Sequence, residues 1–307
     1  MTVIRINGIR VGHQMFHLRQ GPESENDNSL IYQTLAREKI NLPCMGTETA
    51  VFGTSVSCCI EGEVPRDLAI QPVCMISVYP HRSKIRTLGY LLDLFAGHDL
   101  KFFHMVSSNA MVSFVIDQAD KLAVLAMLEQ AFDLPPTHTP YEPNFHEQTA
   151  AFVKKRYQET RAFFQEEKIK TYGFSLIPGL CLKRIFCPWN QLEQAIRFLQ
   201  NTDDIFSFAT AFAHGKRIHL YWLAQESSLT PKACPVEFFQ EQVDLITFQG
   251  PHFGDRFGIF NTAAACLESA GLELEISGCT GASISLVLSK GEGSRALPAL
   301  EKGFETP

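Results

Sequence analysis

One stretch of this sequence occurs twice. Residues 73–133 and 243–305 carry the same pattern, and from residue 100 to residue 132 the first copy lies on the second without a gap. Leu100, Ala110, Ser113, Val115, Leu125, Leu128, Glu129 and Phe132 fall on Leu272, Ala282, Ser285, Val287, Leu297, Leu300, Glu301 and Phe304. Upstream, Pro80-His81 falls on Pro251-His252 after a shift of one residue, as a difference in loop length produces. A duplication of this length commits both copies to one supersecondary unit, whose apolar faces are buried by its neighbours.

Each copy reads as strand, helix, strand, strand, helix. In the first, residues 73–79 form a strand, and Ile85, Leu88, Leu91, Leu92 and Phe95 recur at helical spacing over residues 85–95, with Gly97 placed to stop that helix. Residues 102–105 and 111–116 are two strands joined by the polar turn Ser107-Ser108-Asn109, and residues 120–132 form a second helix with Leu122, Leu125, Leu128 and Phe132 on one face. The second copy gives elements at 243–248, 257–269, 272–277, 283–288 and 294–304.

Two shorter segments precede the copies and share the first part of the pattern. Strand, helix, strand, strand is read at 15–19, 29–38, 40–45 and 54–60, and again at 181–186, 191–199, 205–212 and 217–223. The chain therefore divides into units at 1–70 and 71–135, a linker with a polar helix at 136–170, and units at 171–230 and 231–307. The shorter units lack a second helix, which leaves open whether residues 2–11, the region after Thr171 or neighbouring segments complete them.

Charge and cysteine usage exclude several classes of function. A net charge of −6 argues against a broad phosphate-binding surface, so nucleic acid is not an expected partner. No run of eighteen apolar residues occurs and the first residues lack a signal-peptide pattern, so no membrane association and a cytoplasmic location are expected. The nine cysteines contain no CxxC pair and read as reduced, mostly buried thiols; no metal and no cofactor is expected. His13 and His17 share a strand face but stand too far apart for one ion. His214 and His219 flank Gly215-Lys216-Arg217 and read as an exposed hairpin tip. Cys58 and Cys59, adjacent on a strand, point to opposite faces, so at most one lines any site.

Gly254-Asp255-Arg256-Phe257-Gly258-Ile259 resembles the strand-to-helix turn of ACT domains, with Ala270-Gly271-Leu272-Glu273-Leu274 in place of the following turn. Residues 35–42, Leu-Ala-Arg-Glu-Lys-Ile-Asn-Leu, are similar to the form seen in aspartokinase regulatory regions. The resemblance implies an α+β fold of tandem ferredoxin-like (βαββαβ) ACT units, four in two pseudo-symmetric halves. It implies a regulatory protein that binds an amino acid or related small metabolite at unit interfaces, in a homo-oligomer or with a partner enzyme. No GxxxxGK[ST] loop is present, so the resemblance stops at the regulatory part and implies no catalysis. Unit two departs from the pattern, with Arg86 where unit four has Gly258.

The chemistry of the turn gives its own reason to place a ligand there. A helix starting near Phe257 presents unpaired N–H groups and a positive end that favour a carboxylate, and Asp255 supplies the opposite charge for an ammonium group. The candidate ligand-binding residues are His252, Phe253, Gly254, Asp255, Arg256, Phe257 and Gly258, with Ser277 from the strand that ACT units use to join edge to edge. The same residues also read as a capped helix with turn glycines. Tyr79-Pro80-His81-Arg82-Ser83-Lys84, at the matching place in unit two, reads as a solvated basic loop or a site for a more acidic effector. Two other classes stay open: an assembly module that has lost its site, and an enzyme, for which no catalytic constellation is found.

Overall fold

The computed structural model describes residues 4–12, 15–21, 30–50, 53–61, 71–80, 83–108, 110–136, 138, 168–201, 204–225, 237–251, 253–254, 256–281 and 283–307. The first third of the chain supplies β1 (Ile4–Val11), β2 (Met15–Gln20), α1 (Ile31–Arg37), β3 (Cys44–Ala50) and β4 (Gly53–Glu61). The first long copy follows as β5 (Gln71–Pro80), α2 (Ile85–Gly97), β6 (Phe102–Ser107), β7 (Val112–Asp117), α3 (Lys121–Ala131) and the short β8 (Phe132–Asp133). After β9 (Ile169–Lys170) come β10 (Phe174–Pro188), α4 (Leu192–Ile196) between two 3-10 turns, β11 (Phe206–His214) and β12 (Arg217–Ala224). The second copy closes the chain as β13 (Glu237–Gln249), α5 (Ile259–Ser269), β14 (Leu274–Thr280), β15 (Ser283–Ser289), α6 (Gly293–Leu300) and β16 (Phe304–Glu305). The predicted polar helix of the linker lies outside the described residues.

Fourteen strands form one sheet in the order β2-β4-β3-β14-β15-β13-β10-β12-β11-β6-β7-β5-β1-β8. β5 pairs with β2 through Val73, Pro72 and Gln71 as well as with β7, so all of these strands except β1 and β8 close into a circuit. The shorter segments are thereby completed by their successors: β2 takes β5 as its neighbour, and the long β10 takes β13. β1 adds to the other end of the same β5 edge. Two seams join the halves, β3–β14 and β6–β11.

Period-two alternation along the strands separates three apolar layers. On β12, Ile218, Leu220 and Trp222 face a layer with α2, α3 and α4, while Tyr221 and Leu223 face an inner layer made of strand residues. On β15, Ile284, Leu286 and Leu288 face α1, α5 and α6, while Val287 turns inward. Cys58 and Cys59 divide in the same way, Cys58 against the helices and Cys59 inside, as alternation requires. The inner layer is tightest where Gly46 and Gly278 pair across the first seam. A Cβ on Gly278 would stand 2.6 Å from Val106 and 2.8 Å from the Phe208 ring, and one on Gly46 would meet His104 and Phe212.

Helix ends correct two expectations. Gly97 does not stop α2; the helix runs through it and the chain turns at Asp99, in the left-handed region at φ 51°. Lys39 (φ 58°) and Gly271 (φ 64°) do the same after α1 and α5. In each case the next amide reaches back to the last turn: Ile40 to Leu35 O, Leu100 to Phe95 O and Leu272 to Leu267 O, at 2.9–3.0 Å. This pattern satisfies carbonyls that a helix end leaves open and overrides the side-chain preference of Lys and Asp. The strand expected at 40–45 begins only at Cys44, because Ile40 and Leu42 are half-buried against the helix layer in a loop. No helix among the described residues is long and apolar enough to cross a membrane.

Candidate functional site

The turn after β13 packs against the entry to β3. Phe253 is buried and Gly254 O accepts a hydrogen bond from Asn41 Nδ2, while Asn41 Oδ1 accepts from Leu42 N at 2.8 Å. Gly281 N, in the β14–β15 hairpin, donates to Pro43 O at 2.6 Å, so the loop at 41–43 is pinned to both the turn and the hairpin. Between them lies a shallow open cleft lined by Asn41, Leu42, Phe253, Arg256, Gly258, Ile259, Phe260, Cys279, Gly281 and Ile284.

Helix α5 points its N-terminus into this cleft. Gly258 caps it at φ 76°, a conformation in which a side chain is strained, and Thr262 returns both its N–H and its hydroxyl to Gly258 O. The first amides of α5 have no acceptor within the helix, which makes this end of the cleft attractive to an anion. The opposite wall is apolar. Burial, then the neighbouring Cys44, pushes the Cys279 thiol up to about 12, so it stands there as a neutral side chain.

Of the residues singled out in the sequence, Phe253, Arg256 and Gly258 line the cleft, and Gly254 supplies a carbonyl to its edge. Phe257 lies in the same turn but is not among the lining residues. His252 and Asp255 lie outside the described residues. Ser277 is fully buried in the β3–β14 seam, where its hydroxyl meets Thr47 at 2.6 Å, and it is not part of the lining. Asn41, Leu42, Cys279, Gly281 and Ile284 come from segments that sequence spacing gives no reason to place opposite the turn; only the β3–β14 pairing brings them there.

The corresponding helix start in the first copy is arranged differently. Ile85 N donates to Asp204 O at 2.8 Å and Phe206 N donates to Ser83 O at 2.9 Å, with a backbone bridge between Lys84 and Ile205. The entry to β11 thus occupies the place that the open cleft holds beside α5, and α2 starts from an extended Lys84 at φ −79°.

His214 and His219 are not at an exposed tip. Their side chains are only 21% and 22% exposed and turn inward onto the buried Glu48 of β3, whose Oε2 accepts from Tyr221 OH at 2.7 Å and lies 3.2 Å from His219 Nδ1. They share a face because residues diagonal across a tight hairpin point the same way, with Phe212 opposite His219. Deeper in the inner layer, His17 contacts Ser57 Oγ at 2.8 Å and stacks on Phe103. Cys44 Sγ lies 3.8 Å from His104 Nδ1. Its thiol is drawn down to about 6, chiefly by Cys59, against the upward push of burial.

With this geometry in hand, known structures give a fold to compare. The chain is similar to aspartate kinase from Synechocystis, with a TM-score of 0.73 at 13% identity over 99% of this chain. The fold is aspartokinase-like. The chain spans 56% of the length of that kinase. A lesser similarity is to the ligand-free regulatory subunit of aspartate kinase from Thermus thermophilus, at a TM-score of 0.38 and 14% identity, over 44% of this chain and 99% of that one. No protein-family model matches the sequence, and no curated protein matches it.

Proposed function

We propose that this chain is a regulatory protein of four ACT units in two pseudo-symmetric halves, with units at 1–70, 71–135, 171–230 and 231–307. It binds an amino acid or a related small metabolite and has no catalysis of its own. The observation that carries this reading is the shallow cleft at the start of α5, lined by Arg256 and the first residues of the helix together with Phe253 and the loop residues Asn41 and Leu42. An amino acid needs an anion-holding and a cation-holding group at close range; the α5 amides serve its carboxylate and Asp255 its ammonium group. His252, Phe257 and Ser277 complete the proposed set, Ser277 through the seam it shares with Thr47.

A bound effector biases whatever arrangement holds it best, so occupancy passes from α5 through the β3–β14 seam to the first half and on to a partner enzyme or a second copy of the chain. The protein acts in the cytoplasm. At the other seam the backbone bonds at Ser83, Asp204 and Phe206 favour a structural role, so one seam senses and the other assembles.

Thermal-shift measurements with the common amino acids at millimolar concentration, followed by calorimetric titration, test the reading. A ligand that binds the folded state raises the melting temperature. Asp255→Ala weakens its binding by about 1–3 kcal/mol with less effect on fold stability. If no amino acid shifts the wild type, the sensing role fails; equal affinity in the two proteins reduces Asp255 to a helix cap.

A further inference from the structure

Outside the cleft, Glu48, His214 and His219 converge where β3 of one half faces the β11–β12 hairpin of the other, with all their donor atoms within 4.8 Å of one another. From this geometry we infer a binding site for a divalent metal ion of the zinc class, held by the Glu48 carboxylate, His214 Nε2 and His219 Nδ1, that fastens the hairpin to β3.

Two imidazoles and one carboxylate form a ligand set suited to zinc and its neighbours in the first transition row. Tyr221 OH donates to Oε2 and fixes the carboxylate's orientation, as groups behind a metal ligand commonly do. Nε2 of His214 is buried and touches Oε1 of Glu48, yet it is not aligned as a hydrogen bond. Zinc bonds of about 2.0–2.1 Å require tetrahedral ligand separations of about 3.4 Å; His219 Nδ1 already lies 3.2 Å from Glu48 Oε2, while His214 Nε2 has to draw back from Oε1 to admit the ion. The two histidines are partly exposed, unlike Glu48, so the adjustment falls on them, and their rings already stand 4.3 Å apart.

Arg19 competes for this site. Its Nη2 contacts Nδ1 of His214 while Nη1 donates to Ala213 O at 2.9 Å. A guanidinium only donates, so Nδ1 accepts and the ring proton sits on Nε2. For Nε2 to take the metal, that proton must move to Nδ1, and Arg19 must release Nδ1 while keeping Ala213 O.

Calorimetric titration of zinc into the full-length chain, stripped beforehand with chelator, tests the site against three variants whose folding is checked by circular dichroism. The wild type is expected to take up one equivalent at the site. His219→Ala, which truncates a partly exposed side chain, and Glu48→Gln each weaken that binding by about tenfold or more. Arg19→Gln strengthens it severalfold. Cobalt substituted at the site gives visible d–d bands without the near-ultraviolet thiolate charge-transfer band that cysteine ligation produces. The site is overturned if the wild type binds no zinc, if His219→Ala binds as the wild type does, or if cobalt shows thiolate ligation. An Arg19→Gln affinity equal to or below that of the wild type overturns the competition.

Discussion

The two seams that close the sheet circuit bring together the same kinds of element and make opposite use of them. At β3–β14 the strands pair from Cys44 to Glu48, two glycines face each other, and the helix start beside them opens onto a cleft. At β6–β11 three residue pairs suffice, the facing side chains are His104, Val106, Phe208 and Phe212, and the helix start is tied to the neighbouring strand by backbone hydrogen bonds. The difference comes from a few residues. Gly46 and Gly278 give the first seam no side chains of its own there, so the bulk of the second seam fills the space between them. Gly258 starts α5 from the left-handed region beside the loop at 41–43, whereas α2 starts from an extended Lys84 that pairs with Ile205. Topology alone therefore does not fix the surroundings of a helix start; the conformation of the residue that begins the helix goes with whether a strand pairs beside it or a cleft stays open.

The largest expected effect tests the complementarity of the seams. Gly278→Val forces a side chain into the Phe208 ring and should destabilise the protein by about 3 kcal/mol, the upper end of overpacking costs, read as a lower denaturant midpoint. Pairing it with Phe208→Ala should recover part of the loss; no recovery would mean that the seams do not pack on each other as described.

Next in size is the pH response of the layer both seams share. Burial, then the charges of His104 and Arg19, holds the His17 ring down at about 3 against an ordinary 6.5. The unfolded chain takes up that proton below pH 6.5 and the folded chain does not, so stability falls as the pH drops through this window. The slope from this one ring approaches about 1.4 kcal/mol per pH unit. Between pH 6 and 5, above the range where the Glu48 carboxyl titrates, His17→Gln should show a shallower decline than the wild type. Equal slopes would show that the ring is not shielded.

The two helix starts differ in backbone, and substitution should expose that. Gly258→Ala leaves room for the new methyl, 3.6 Å from Ala36, but strains a residue at φ 76° by about 1–2 kcal/mol, whereas Lys84→Ala at φ −79° carries no such strain. Matching losses in thermal unfolding would remove the distinction. Smallest of all is Asn41→Ala, which deletes the bond to Gly254 O and should cost about 0.5–1.5 kcal/mol while loosening the cleft wall. A ligand affinity unchanged in this variant would place the site away from the loop at 41–43.

The sequence by itself determined the elements and their recurrence. The helical spacing of Ile85, Leu88, Leu91, Leu92 and Phe95 and the alternation on β7 and β15 are local signals, because a buried face repeats with the period of its own backbone. They also carried the turn at 250–258 and the burial of the thiols. Tertiary structure alone decided the rest. Ile40 and Leu42 read as a strand because they are apolar, but their burial comes from a loop packed under α1 and α5, and a one-dimensional pattern records burial without its cause. His214 and His219 read as a tip because polar residues beside Gly-Lys-Arg usually are; Glu48 reaches them from another half of the chain, and nothing local announces a partner so distant in sequence. Asn41 joined Gly254, and Asp204 joined Ile85, only through strand pairing at the seams. The pairing of edges is set by how two whole sheets close on each other, so the site rests on contacts that no single segment encodes.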